Sequence, residues 1–161
     1  MPLPEVGERV PDFALADVNG HTYPLSESAQ GRATLAVFFK RSCVTSRLAL
    51  PFVERLHRLY PALRLIGVSQ DDAADTEAFS AQAGLTFPVV LDSDWKVSTE
   101  YDLFTVPTAF LLDKAGRLAR VNMGWSTEQY NALSAEVARL LEVTLLTLVT
   151  AEDKVPVFKP G

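Results

Sequence analysis

Cysteine is almost missing from this chain: among 161 residues there is one, Cys43. A lone thiol excludes any intramolecular disulfide, so any disulfide the protein forms must be with another molecule. Histidine is nearly as scarce. His21 and His57 lie far apart, neither has a second ligand at metal spacing, and no metal site is expected. Both imidazoles are expected in solvent, His21 in a hairpin turn and His57 on a helix face. Long apolar runs are lacking too. The richest, Leu140 to Val149, is short and interrupted by Glu142, so it cannot span a bilayer. The opening MPLPEVGERVPDF has no basic start leading into an apolar core, so no signal peptide is expected and the cytoplasm is the default location. Nor is there a basic excess: 15 Lys and Arg stand against 20 Asp and Glu, a net charge of −5 with the cations scattered, which argues against a nucleic-acid surface.

What is present suits one soluble α/β domain, with 48% hydrophobic residues and no repeats or low-complexity segments. After a proline-containing arm, residues 12–26 read as a β-hairpin turned at Asn19-Gly20. Thr34 to Phe39 is a continuous apolar run suited to a central strand. Val44 to Tyr60 has helical spacing, with Pro51 expected to kink it. Leu63 to Ser69 is a second buried strand. Asp71-Asp72 reads as a helix cap before a short helix, Thr76 to Ala83, that ends at Gly84. Phe87 to Leu91 is a brief strand, Asp94 to Tyr101 a helical turn or two, and Thr108 to Leu112 a third strong strand. Lys114-Ala115-Gly116 turns into a hairpin partner, Arg117 to Met123, and Ser126 or Thr127 caps a helix reaching about Glu142. Strand–helix–strand order implies a parallel core, with an antiparallel edge from the Gly116 turn. Residues 1–142 are expected to be the domain and residues 143–161 an extension or tail. Within the tail, VTLLTLVT is either more helix or a strand, and Val155 to Gly161 is extended or mobile.

The stretch that carries chemistry is Leu35 to Pro51, LAVFFKRSCVTSRLALP. A buried strand runs into Cys43, and a helix begins immediately behind it. There the unpaired N–H groups and the positive end of the helix dipole favour thiolate over thiol. Lys40, Arg41 and Arg47 are nearby cations expected to add to that effect, Arg47 from about one turn further on. The plainer alternative is that Cys43 is a small buried hydrophobe.

The pattern resembles the thioredoxin fold, in the branch shared by the alkyl hydroperoxide reductase/thiol-specific antioxidant (AhpC/TSA) group and the thioredoxin-like cytochrome-maturation proteins. VGERVPDFALADVNGHTYPL is similar to that branch's opening hairpin, FFKRSCVTSRLALP to its active-site segment, and YDLFTVPTAFLLDKAGRL to the segment holding its cis-proline. The resemblance implies a mixed central sheet flanked by helices with an added N-terminal hairpin. It makes Cys43 the attacking cysteine of a C-x-x-C motif, and Val106, Pro107 and Thr108 a substrate platform with Pro107 in cis. Three positions depart from the pattern. Ser46 stands where the second cysteine would be. The family's buried acids would fall near Val37 and at Ala49, neither of which carries a proton.

These departures define the expected activity. Ser46 offers a hydrogen bond to a thiolate but cannot attack a mixed disulfide, so Cys43 would begin an exchange that an external thiol must finish. Ser46 fits a native monothiol site, or a replacement of cysteine that traps a partner. No bound cofactor is implied. The partners implied are a disulfide-bearing protein or a small thiol, with neither nucleic acid nor membrane. One alternative is a one-cysteine peroxidase, although Lys40 stands where that group's threonine would be and Pro107 where its arginine would be. The other is a redox-poor binding module built on the same fold.

Overall fold

The structure, a computed structural model, describes residues 3–28 and 31–161. Strands β1 (Ala14–Ala16) and β2 (Thr22–Pro24) form the expected hairpin, with Leu15 opposite Tyr23. Asp17 organises its turn: Oδ1 accepts from the Asn19 and His21 amides, both at 2.9 Å, and Gly20 takes the left-handed φ of 83° the turn needs. His21 is exposed there, as expected. A four-residue helix, α1 (Leu25–Ser28), follows.

The central sheet contains β3 (Thr34–Phe39), β4 (Arg64–Ser69), β5 (Val89–Leu91), β6 (Thr108–Leu112) and β7 (Leu118–Met123), in the order β5-β4-β3-β6-β7. β3, β4 and β5 are parallel. β6 runs antiparallel to β3, and β7 antiparallel to β6, so β6 alone opposes the direction of the other four strands. The cause is the short route into β6: the segment after α4 (Lys96–Glu100) returns without a crossover helix long enough to reverse the chain again.

Strand β3 lies in the middle and is buried along its whole length. Its side chains alternate between two apolar layers. Leu35, Val37 and Phe39 face the layer built with α2 (Val44–Leu59) and α5 (Thr127–Leu141). Phe38 faces the other layer, with Phe110, Tyr101 of the turn after α4, and Phe13 from the N-terminal segment. The Tyr101 hydroxyl donates to the Pro11 carbonyl at 2.6 Å, which pins the N-terminal arm to that face. Helix α2 passes through Pro51 as one continuous element. Helix α3 (Ala73–Ala83) begins three residues before the expected Thr76, because Asp72 is its cap and accepts from the Asp75 amide. It ends at Gly84 in the left-handed conformation.

Two expectations are corrected. His57 is not solvated: it is half-buried, tilted against Phe87 with ring centroids 5.8 Å apart. Residues 143–149 form neither more helix nor a strand, because Glu142 ends α5 in the left-handed region. The segment crosses α2 and α5 in an extended path. Leu148 and Val149 complete the core, the Asn131 amide bonds both Val149 backbone groups, and the Tyr60 hydroxyl accepts from the Leu146 amide. Residues 155–161 are extended as expected, but they are docked. After a 3-10 turn (Ala151–Asp153), β9 (Phe158–Lys159) pairs with β8 (Trp125–Ser126). Trp125 is fully buried and stacked on Tyr130, and its Nε1 donates to the Pro156 carbonyl at 2.7 Å.

Candidate active site

Cys43 leaves the end of β3 through a tight turn, in which its amide donates to the Lys40 carbonyl at 3.1 Å. It is the N-cap of α2, with φ −82° and ψ 117°. Its sulfur does what an N-cap side chain does, accepting from the Ser46 amide at 3.4 Å. The same sulfur lies 3.4 Å from the Val106 carbonyl, to which the thiol donates. Cys43 is half-buried.

The Val106–Pro107 peptide bond is cis, as expected. Pro107 and Thr108 are buried, and the Thr108 hydroxyl donates to the Thr105 carbonyl at 2.9 Å, closing the turn that enters β6. The strand pairing Phe38↔Thr108 brings this turn beside the Cys43 turn. Val106 keeps its amide free of any hydrogen bond among the described residues. Cys43, Val106, Pro107 and Thr108 are therefore brought together as expected.

Ser46 is at the site in a different posture from the one expected. Its hydroxyl is turned away from the sulfur and accepts from the Lys40 amide at 3.3 Å, while its backbone N–H reaches the sulfur. It is fully buried, so it is part of the site's frame and not a solvent-facing helix start.

The three cations are also placed differently. The Arg41 guanidinium pairs with Asp75 at 2.6 Å, and the Arg41 amide donates to Asp71 at 2.7 Å. Arg47 donates to the Arg41 carbonyl at 3.0 Å, and Lys40 Nζ lies 4.9 Å above the Trp95 ring. Each charged end has a partner other than the sulfur, and none contacts Cys43 among the described residues. Any effect they have on the thiolate is exerted across space and not by contact. Arg41 ties the turn to α3 and Lys40 ties it to Trp95.

Asp71 and Asp75 thus belong to the site's support. The parallel pairing Phe39↔Ser69 sets the residues after β3 beside those after β4, a placement that no local pattern in the sequence carries. Val37 and Ala49, where the acids would fall, are fully buried and apolar. The buried acid of α2 is Glu54, three turns from Cys43, bonded to Thr86 and Arg58. Among the described residues, no group of three or more His, Cys, Asp or Glu is placed to hold a metal, and no helix is long and apolar enough to cross a membrane.

The AhpC/TSA family profile matches residues 6–121, most of the chain and all of the Cys43 and Val106 turns. The chain belongs to the AhpC/TSA family. Its relatives there include the thiol-disulfide oxidoreductase ResA of Geobacillus kaustophilus, 30% identical over 127 residues that cover 77% of this chain and 72% of ResA. The thioredoxin-like protein YneN of Bacillus subtilis is 28% identical, covering 76% of this chain and 74% of YneN. Among solved structures, one from Chlorobium tepidum assigned to the DsbE thiol:disulfide interchange proteins superposes with TM-score 0.79 at 25% identity, over 86% of this chain and 99% of that one. The thioredoxin domain of a thiol-disulfide oxidoreductase from Bacteroides vulgatus superposes with TM-score 0.73 at 20% identity, over 83% and 98% of the two chains. The fold is thus the thioredoxin fold, a mixed sheet between helices, with the β1–β2 hairpin as a separate addition.

Proposed function

We propose that the protein is a thiol–disulfide oxidoreductase of monothiol type, in which Cys43 is the attacking group. The observation that carries this reading is the position of the sulfur, at the N-terminus of α2, bonded by the Ser46 amide and facing the Val106 carbonyl. When the proton leaves, the Val106 contact loses its donor, while the Ser46 N–H and the free amides of the helix start remain to support the negative charge. The Cys43 thiolate then attacks one sulfur of a substrate disulfide. The S–S bond breaks, a Cys43–substrate disulfide forms, and the second sulfur departs as a thiolate. Val106, Pro107 and Thr108 present the backbone along which the substrate lies, with the Val106 N–H as a free donor. Ser46 cannot attack the new disulfide, so a second thiol, a glutathione-like molecule or a partner protein's cysteine, attacks it and regenerates Cys43.

The relatives named as thiol-disulfide oxidoreductases support this reading. A peroxidase reading gains nothing from the geometry, because peroxide cleavage needs donors aimed at the breaking O–O bond. Arg41 and Arg47 are both committed to other acceptors.

The test is incubation of the reduced protein with oxidised glutathione, followed by intact-mass analysis and peptide mapping. One glutathione is expected on Cys43, removable by dithiothreitol and absent from Cys43→Ser. A folded protein that takes up no glutathione, while the urea-unfolded chain does, would refute the proposal.

A further inference from the structure

Residues 156–161 run beside the thiol site and are held to it at several points. The Thr127 amide donates to the Val157 carbonyl at 2.9 Å, and β9 pairs with β8 over two residues. The Thr45 hydroxyl, in the first turn of α2 and two residues from Cys43, donates to the Pro160 carbonyl at 2.5 Å. Gly161 then lies against Thr105 and Val106 so closely that a Cβ there would collide with Thr105 Oγ1 and the Val106 carbonyl oxygen. On the opposite side, a Cβ on Gly124 would stand 3.0 Å from both the Gly161 nitrogen and the Lys159 oxygen. Two glycines therefore let this segment approach the backbone that faces Cys43. A groove of about 390 Å³ lined by Phe104, Thr105, Met123, Phe158 and Pro160 continues the path.

We propose that residues 157–161 are a strap across the Val106 platform, which an extended polypeptide must displace before its disulfide reaches Cys43, whereas a small disulfide reacts with the strap in place. The inference rests on the exchange chemistry proposed above and adds its substrate gate. The strap, VFKPG, is an extended segment with one charge, at Lys159, seated against the Val106 backbone that an extended substrate would use. Its hold is light: a two-residue ladder, a few hydrogen bonds, and Val157 and Phe158 at 78% and 65% exposure, so little burial is lost on release. Phe104, 76% exposed, and Met123 continue the apolar rim, which fits an extended peptide with apolar side chains flanking its cysteine. In the reaction, Cys43 thiolate and peptide disulfide give the Cys43–peptide disulfide and a peptide thiolate, with no other reactant.

Because the chain has no second thiol, both adducts accumulate and the test is direct. The full chain is treated with hydroxyethyl disulfide or with the symmetric disulfide of a short apolar cysteine peptide. Hydrogen exchange is then followed at the Thr127 amide, which the Val157 carbonyl protects. Protection is expected to persist in the hydroxyethyl adduct and to fall about tenfold or more in the peptide adduct. Equal protection in the two adducts overturns the strap. The variant Thr45→Val/Gly161→Ala, which weakens the hold at Pro160 and Gly161, is expected to form the peptide adduct several-fold faster with no change in the hydroxyethyl rate. If the peptide adduct forms only in this variant, the strap is supported; if the ratio of the two rates does not change, it is overturned. If neither disulfide modifies Cys43, the exchange chemistry itself fails and the gate fails with it.

Discussion

Ser46→Cys places a sulfur where the resembling family's C-x-x-C motif has its second cysteine, and it is the sharpest perturbation of this site. Residues 43 and 46 share one face of the first turn, and the Cys43 sulfur already lies 3.4 Å from the Ser46 nitrogen. An introduced thiol is therefore within reach of a mixed disulfide on Cys43. The replacement has a stability cost that follows from the Ser46 environment. Its hydroxyl accepts from the Lys40 amide at 3.3 Å, and sulfur accepts more weakly, which costs about 1 kcal/mol. The site has no exposed surface, so the larger atom adds overpacking of about 1 kcal/mol or more. A loss of about 1–3 kcal/mol in urea unfolding of the reduced variant is expected from these two terms together. In single-turnover reaction with a protein disulfide and no added thiol, the present chain should stop as a mixed disulfide on Cys43. The variant should release the reduced substrate and become two hydrogens lighter as its own disulfide closes. Release of substrate by the unmodified chain at the variant's rate, or a mixed disulfide that persists in the variant, would refute the assignment of Ser46 to the resolving position.

The other expectations concern the frame. Burial pushes the Glu54 carboxyl up, but hydrogen bonds from Thr86 and Arg58 outweigh it and hold its pKa below the ordinary value. Its stabilisation is therefore present above the unfolded value of about 4.3 and lost as pH falls through the lower folded value. Glu54→Gln should cost about 1–3 kcal/mol at neutral pH, with the gap to the unmodified chain closing in acid; a gap independent of pH would contradict this. Asp71→Ala removes the acceptor of the Arg41 amide and should cost about 1–2 kcal/mol, with faster hydrogen exchange at Arg41; unchanged exchange would count against Asp71 as a support of the Cys43 turn. Tyr60→Phe leaves the Leu146 amide and the Ser134 hydroxyl without their 2.9 and 2.8 Å partner, so a loss of about 1–2 kcal/mol and faster proteolysis of residues 143–149 are expected. Limited proteolysis with an unchanged cleavage rate would show that this anchor does not hold the segment.

What the sequence alone determined was everything written in local chemistry and period. The apolar run of β3, the helical spacing after Cys43, the Asn19-Gly20 turn and the Gly116 turn each commit the backbone within a few residues, so element types and order could be read directly. The thiol at a helix start was legible for the same reason, whereas the missing second cysteine and the absent acids could be read only against the pattern of the family the sequence resembles. Only the tertiary structure decided where charged and polar ends go, because several partners compete within reach of a long side chain. Arg41 is nearer in sequence to Cys43 than to Asp75, yet the pairing of β3 with β4 brings a carboxylate to its guanidinium and leaves the sulfur to a backbone N–H. Residues 143–161 were the least legible, since their contacts with Tyr60, Asn131, Trp125 and Thr45 all cross long stretches of chain and leave no period behind. Their polar anchors and two glycines acquire meaning only when the fold brings them beside Val106, where an apparent tail becomes a wall of the thiol site.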